Sequence, residues 1–162
     1  DAMELGVLPG SISNGHGNLT GMLGEKAAYK YLGGIRTRDI RNYDIKLDGL
    51  RLEVKSKSTT KTQIDGSFWN QVNDKRQDCH AYVFCAVNPS TKQTWVCGFM
   101  WKDEFLASST FFKAGYRVPD TGKVMRADSL NIQTRDLFPI SLLKKTEEPK
   151  VSLGTNRFAA LM

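Results

Sequence analysis

A chain of 162 residues has the length of one domain with one core, and no room for two independent ones. Its 23 Lys and Arg against 17 Asp and Glu leave a formal charge of +6, which favours a polyanionic partner, nucleic acid ahead of a membrane surface. No apolar run approaches the roughly 18 residues that cross a bilayer, and no basic-then-apolar leader opens the chain, so neither an anchor nor a signal peptide is expected and the chain reads as cytoplasmic.

Residues 1–18 hold four glycines, two serines and a proline and read as a loose N-terminal arm. From Leu19, "LTGMLGEKAAYKYLGG" has helix-forming content and stops at Gly33-Gly34. "IRTRDIRN" shows no clear period and supplies Arg36, Arg38 and Arg41. "NYDIKLDGLRLEVKSK" alternates apolar and charged residues about Asp48-Gly49, which predicts a hairpin. "STTKTQIDGS" reads as polar loop and "SFWNQVNDKRQD" as a short second helix. "HAYVFCAVN" and "TWVCGFM" are β-rich and too apolar to leave either face wet. "WKDEFLASS" reads as a third helix, 110–126 as irregular, and "LNIQTRDLFPISLLKK" as a late strand with a terminal helical turn. Residues 146–162 form a tail, leaving one domain over 19–145. Cys79, Cys85 and Cys97, an odd number at spacings that match no zinc pattern, read as reduced thiols in and around a core. The order predicts a mixed α/β domain whose central, partly antiparallel sheet is covered by helices.

Asp-Gly between alternating apolar residues signals a two-residue type I′ turn, which needs positive φ at both central positions. With that turn at Asp48-Gly49, Leu47 pairs with Leu50, Lys46 with Arg51, Ile45 with Leu52 and Asp44 with Glu53. Ile45, Leu47, Leu50, Leu52 and Val54 then share one face, and Asp44, Lys46, Arg51, Glu53 and Lys55 the other. The expected Asp44–Glu53 pair is non-hydrogen-bonded, with Cα atoms ~4.5 Å apart. Opposed like charges destabilise a sheet by up to ~1 kcal/mol, so a cation is expected between them. Lys55 lies ~6.6 Å further along the strand. Mg²⁺, which takes one or two carboxylates plus water and phosphate oxygens, suits the point better. The alternative is an amphipathic hairpin with a solvated charged face, Lys46 and Arg51 neutralising their neighbours.

Asp44 followed by Glu53-Val54-Lys55 across a hairpin resembles the metal-binding signature of the PD-(D/E)XK nuclease superfamily, the restriction-endonuclease-like fold. The resemblance covers roughly Leu19 to Lys145. Tyr43 stands where that signature has its leading proline. The resemblance implies a central mixed sheet with flanking helices around an αβββαβ-type core. It also implies hydrolysis of phosphodiester bonds in DNA assisted by Mg²⁺, with Mn²⁺ substituting and Ca²⁺ binding but supporting little turnover. Asp44, Glu53 and the Val54 backbone carbonyl would hold the metal, and Lys55 would orient or activate the attacking water or stabilise the phosphorane. Glu25, in a Gly24-Glu25 context on the first helix, would assist directly or through water. Its neighbours Met22, Ala28, Tyr29 and Leu32 place it within an apolar stripe.

Arg36, Arg38, Arg41, Lys57 and Lys61 flank these positions and are candidates for phosphate contacts. Ser56 and Gln71 are candidate supporting contacts, Phe68 and Trp69 read as core anchors, and His16 and His80 receive no role. DNA is the expected partner, with a homodimer or a partner protein supplying the surface that a chain of this size lacks. The expected setting is a bacterial, archaeal or phage-infected cell. A nucleic-acid-binding module that keeps the fold without cleaving, and a protein-binding adaptor, remain as alternatives.

Overall fold

The computed structural model describes the backbone of residues 16–36 and 44–145 and the side chains of 19–36 and 44–143. Arg38, Arg41, the N-terminal arm up to residue 15 and the tail lie outside the described residues.

The fold is mixed α/β: among the described residues it has a five-stranded mixed sheet, a three-stranded antiparallel sheet and three α-helices. Helix α1 (His16–Leu32) begins three residues before the expected start and ends at Gly33, which adopts positive φ. The strands β1 (Ile35–Arg36), β2 (Ile45–Leu47) and β3 (Leu50–Ser58) follow. β2 and β3 form the expected hairpin in the expected register, Leu47 with Leu50, Lys46 with Arg51 and Ile45 with Leu52. Asp48 and Gly49 both take positive φ, as a type I′ turn requires.

Strands β5 (Ala81–Asn88) and β6 (Gln93–Trp101) complete the larger sheet in the order β1-β2-β3-β5-β6, with β3 and β5 parallel and the other pairs antiparallel. Every residue of β5 is buried, which is why its sequence is almost continuously apolar rather than alternating. The free thiols of Cys79 and Cys85 are buried and that of Cys97 is partly so.

The stretch expected as a second helix contains instead β4 (Trp69–Val72). Trp69 and Gln71 are half-buried while Asn70 and Val72 are buried, a period of two that four residues are too few to announce. Buried Asn70 donates from Nδ2 to the Ile132 carbonyl (3.2 Å) and to Thr134 Oγ1 (3.1 Å). The polar residues that suggested a helical surface therefore lock strands together. β4 joins β7 (Thr110–Phe112) and β8 (Ser129–Gln133) in the order β4-β8-β7. Part of the segment read as irregular is thus strand, and Arg117 and Val124 bridge across a further turn within it.

The two faces of the larger sheet carry different layers. Ala28 and Leu32 of α1 and Leu143 of α3 (Ser141–Lys145) pack with Ile45, Leu47, Leu52, Val54, Val83 and Cys85. On the opposite face Tyr82, Phe84 and Met100 meet Val72, Ile132 and Phe105, the last from α2 (Lys102–Ser108). Helices were expected over the sheet; the second face is covered by another sheet as well as by α2, because the link from β3 to β5 contributes β4 to that layer. Among the described residues no helix is long and apolar enough to cross a membrane.

Candidate active site

Glu53 lies on the face of β3 turned toward the second sheet, in register with Tyr82, and Lys55 and Lys57 follow on that face in register with Phe84 and Ala86. Glu53 is only 6% exposed, so at this position the charged side of the hairpin is not solvated. Nor do its neighbours neutralise it: the Arg51 guanidinium pairs with Asp78 (3.2 Å) and Lys46 points into solvent. Lys55 Nζ instead lies 3.3 Å from Glu53 Oε2. The Gln77 side chain, with its amide oxygen toward the lysine, accepts from Nζ at 3.2 Å. Glu53 Oε1 is buried without a hydrogen-bond partner.

Asp44 departs from the expected ladder. β2 begins at Ile45, and the Asp44 N–H donates to the Leu52 carbonyl (2.8 Å), so Asp44 does not pair squarely with Glu53. Its Oδ2 accepts from the Val54 N–H at 2.8 Å. The reason is local: the backbone groups of Leu52 and Val54 point to the side where β2 lies, and β2 ends before Val54. Among the described residues no strand continues alongside Val54 and the carboxylate takes that place; by strand geometry the Val54 carbonyl points to the same side.

Glu25 reaches this edge from α1. Glu25 and Glu53 both lie near enough to Asp44 to act on its carboxyl. Glu25 is 27% exposed and is held by Arg36, with Nη2 2.5 Å from Oε1. Arg36 also sits over the Tyr29 ring (5.5 Å). It therefore pairs with the carboxylate cluster. Met22 is exposed, whereas Ala28 and Leu32 are buried and Tyr29 partly so, so Glu25 sits at the margin of the apolar stripe.

Burial, then the neighbouring Glu53 charge, push the Asp44 carboxyl up to about 8 despite the Val54 N–H. Burial also raises Glu53, against the pull of Lys55. Two acids held above their ordinary range, one with an orphaned oxygen, form a site deficient in positive charge. Among the described residues no three His, Cys, Asp or Glu side chains are arranged to hold a metal ion by themselves, in keeping with the engagement of Glu25 by Arg36. The groups that fit a hard cation are Asp44, Glu53 and the Val54 carbonyl.

Lys57 donates to the Trp69 carbonyl (2.9 Å) and lies over the Phe68 ring (5.4 Å). Burial, then Lys123, lower it to about 8. Lys61 is exposed on the following loop. Ser56 faces the other way, its buried Oγ against α1, and Gln71 donates to Asn73 (3.0 Å), so neither joins the carboxylates. The His80 ring accepts the Arg51 N–H at Nδ1 (2.8 Å), which is a structural task. Gln77 was missed by sequence reasoning; 22 residues from Lys55, in an irregular segment, it gives no local signal.

The chain matches no protein-family model, and no curated protein matches it.

Proposed function

We propose that the protein is a divalent-metal-dependent nuclease hydrolysing phosphodiester bonds in DNA, built on a restriction-endonuclease-like core of the PD-(D/E)XK type. The observation that carries the reading is Glu53 Oε1, a buried carboxylate oxygen with no partner, beside an Asp44 carboxyl anchored by the Val54 N–H. An orphaned buried acceptor is costly, on the order of 1–3 kcal/mol and more for a charged group. A cation at this edge removes that cost.

Asp44, Glu53 and the Val54 carbonyl would hold Mg²⁺, or Mn²⁺ in its place. When bound, the ion neutralises charge on the scissile phosphate and lowers the pKa of a coordinated water. Lys55 donates to Glu53 Oε2 and to the Gln77 amide oxygen. Those contacts fix its direction and leave a third N–H for the attacking water or a phosphate oxygen. Arg36 orients Glu25 at the margin, where it can hold a water. Tyr82 and Phe84 behind β3 exclude bulk solvent from the inner side, which strengthens each of these interactions. A second copy or a partner protein would supply the surface for reading a longer site.

The test is cleavage of labelled single- and double-stranded DNA with Mg²⁺, Mn²⁺ or Ca²⁺, using the wild type, Asp44→Ala and Lys55→Ala. Turnover with Mg²⁺ and Mn²⁺, little with Ca²⁺, and a loss of roughly 10²–10⁴-fold in Lys55→Ala are expected. Equal cleavage by all three proteins would remove Asp44 and Lys55 from the chemistry. Tight DNA binding with no cleavage under any metal would favour a non-cleaving module. Anomalous density between Asp44 and Glu53 in a Mn²⁺-soaked crystal locates the ion directly.

A further inference from the structure

Past Lys57, the face of β3 that carries Glu53 and Lys55 runs into a cavity of about 570 Å³, a volume typical of small-ligand pockets. Its apolar floor includes Phe68, Trp69 and Phe112, with the Trp69 and Phe112 rings edge to face at 5.1 Å. Lys57, Lys61 and Lys123 line it as well. Among the described residues none of these lysines forms an ion pair, and the partners of Lys57 Nζ, the Trp69 carbonyl and the Phe68 ring, are both neutral. The two carboxylates of the wall are otherwise engaged. Asp65 accepts from the Ser67 N–H and hydroxyl, and Asp120 from Trp69 Nε1.

We propose that this cavity is a nucleotide pocket, in which the lysines hold a phosphate and the aromatic floor takes the base. A purely apolar ligand would leave the lysines desolvated with nothing gained, and a cation would be repelled. A phosphate joined to a flat ring system satisfies both halves, since lysines neutralise phosphates and aromatic side chains stack bases without regard to sequence. Lys57 lies four residues past Glu53, ~13 Å along the strand. At a rise of ~3.4 Å or more per nucleotide, the occupant would sit two to four nucleotides from the scissile phosphate. The pocket rests on the nuclease reading for what delivers the nucleotide, a strand running on from the carboxylate edge.

The test is run in EDTA, where binding is read without cleavage. A short fluorescein-labelled oligodeoxythymidylate is titrated by anisotropy over a range of salt, and tryptophan quenching is followed in parallel with unlabelled oligodeoxythymidylate and with thymidine 5′-monophosphate. The proteins are the wild type, Lys61→Ala/Lys123→Ala, Trp69→Phe, and Lys26→Ala/Lys30→Ala on α1, across the sheet. Losing the two rim lysines should weaken oligonucleotide binding roughly tenfold or more and flatten the salt dependence by about two phosphate contacts. The α1 pair should have less than a quarter of that effect on log affinity, and Trp69→Phe should lose most of the quench. Saturable binding of the mononucleotide with the same losses assigns the pocket to a free nucleotide as well. Binding of the oligonucleotide alone assigns it to a nucleotide within a strand.

Unchanged affinity in Lys61→Ala/Lys123→Ala, an equal loss in the α1 pair, or a quench that survives in Trp69→Phe overturns the pocket. The two readings separate cleanly. Absence of cleavage with the pocket effects intact strikes the nuclease alone, and cleavage with no pocket effect strikes the pocket alone.

Discussion

Lys57 and Glu53 sit four residues apart on one face of β3, and both are drawn away from water, Glu53 with one oxygen lacking a hydrogen-bond partner and Lys57 with only neutral partners. Lys57 is lowered to about 8 by burial, against about 10.5 for a free lysine. Below pH 8 both folded and unfolded chains carry the proton, and the folded state bears the full cost of the buried charge. Between about 8 and 10.5 the unfolded chain holds the proton that the folded one has lost, so this residue's contribution to stability rises with pH. Lys57→Met should therefore gain stability relative to wild type at pH 7, and the gain should shrink toward pH 10.5. Urea melts at a series of pH values check this, and a difference that grows with pH would reverse the assignment. The carboxylates were legible in the sequence because Asp44, Glu53 and Lys55 are related by the hairpin, whose register a local Asp-Gly turn sets. Gln77 and Lys123 were not, because only the tertiary fold brings them to Lys55 and Lys57.

At the level of elements, α1 and β3 approach so closely that one residue decides their spacing. A Cβ on Gly24 would lie 1.8 Å from Ser56 Oγ and 2.9 Å from Ser56 Cβ, so Gly24→Ala must push the helix away despite alanine's better helix propensity. Overpacking of this kind costs roughly 1–3 kcal/mol. The expected double-mutant cycle with Ser56→Gly shows positive coupling, the second change recovering part of the loss in chemical denaturation; strict additivity would mean that the contact is not the cause. Because Glu25 follows Gly24, the same displacement should also draw its carboxylate from the Asp44 edge. The hairpin was readable from sequence, yet its end was not: strict alternation placed Asp44 opposite Glu53, whereas the carboxylate caps Val54 from beyond the strand. β4 reads as helix from its sequence because four residues are too few to show a period of two and its buried Asn70 looks like surface.

Across the whole molecule, the two sheets share one core. Val72 and Ile132 of the smaller sheet pack with Tyr82, Phe84 and Met100 of the larger, so neither sheet keeps its buried face covered without the other. Unfolding should be a single transition, with Trp69 on the smaller sheet and Trp95 and Trp101 on the larger reporting the same midpoint as far-UV circular dichroism. Two separated midpoints, with the Trp69 signal isolated by Trp95→Phe/Trp101→Phe, would show that the sheets melt independently. The mixed architecture followed from the order of elements, but the second sheet did not, since it pairs residues up to 64 positions apart, Trp69 with Gln133, with no shared local signal. The early end of β2 also bears on solubility. Among the described residues the edge of β3 at Val54 meets no neighbouring strand; such an edge invites another chain to add to it, and the Asp44 carboxyl, by accepting the Val54 N–H, occupies the place where a neighbour's backbone would otherwise dock. Asp44→Ala should therefore increase concentration-dependent aggregation, visible by light scattering, while Asp44→Asn, which keeps an acceptor for the Val54 N–H, should not. The residue proposed to hold the metal would then double as the guard that keeps one copy of the sheet from growing into the next.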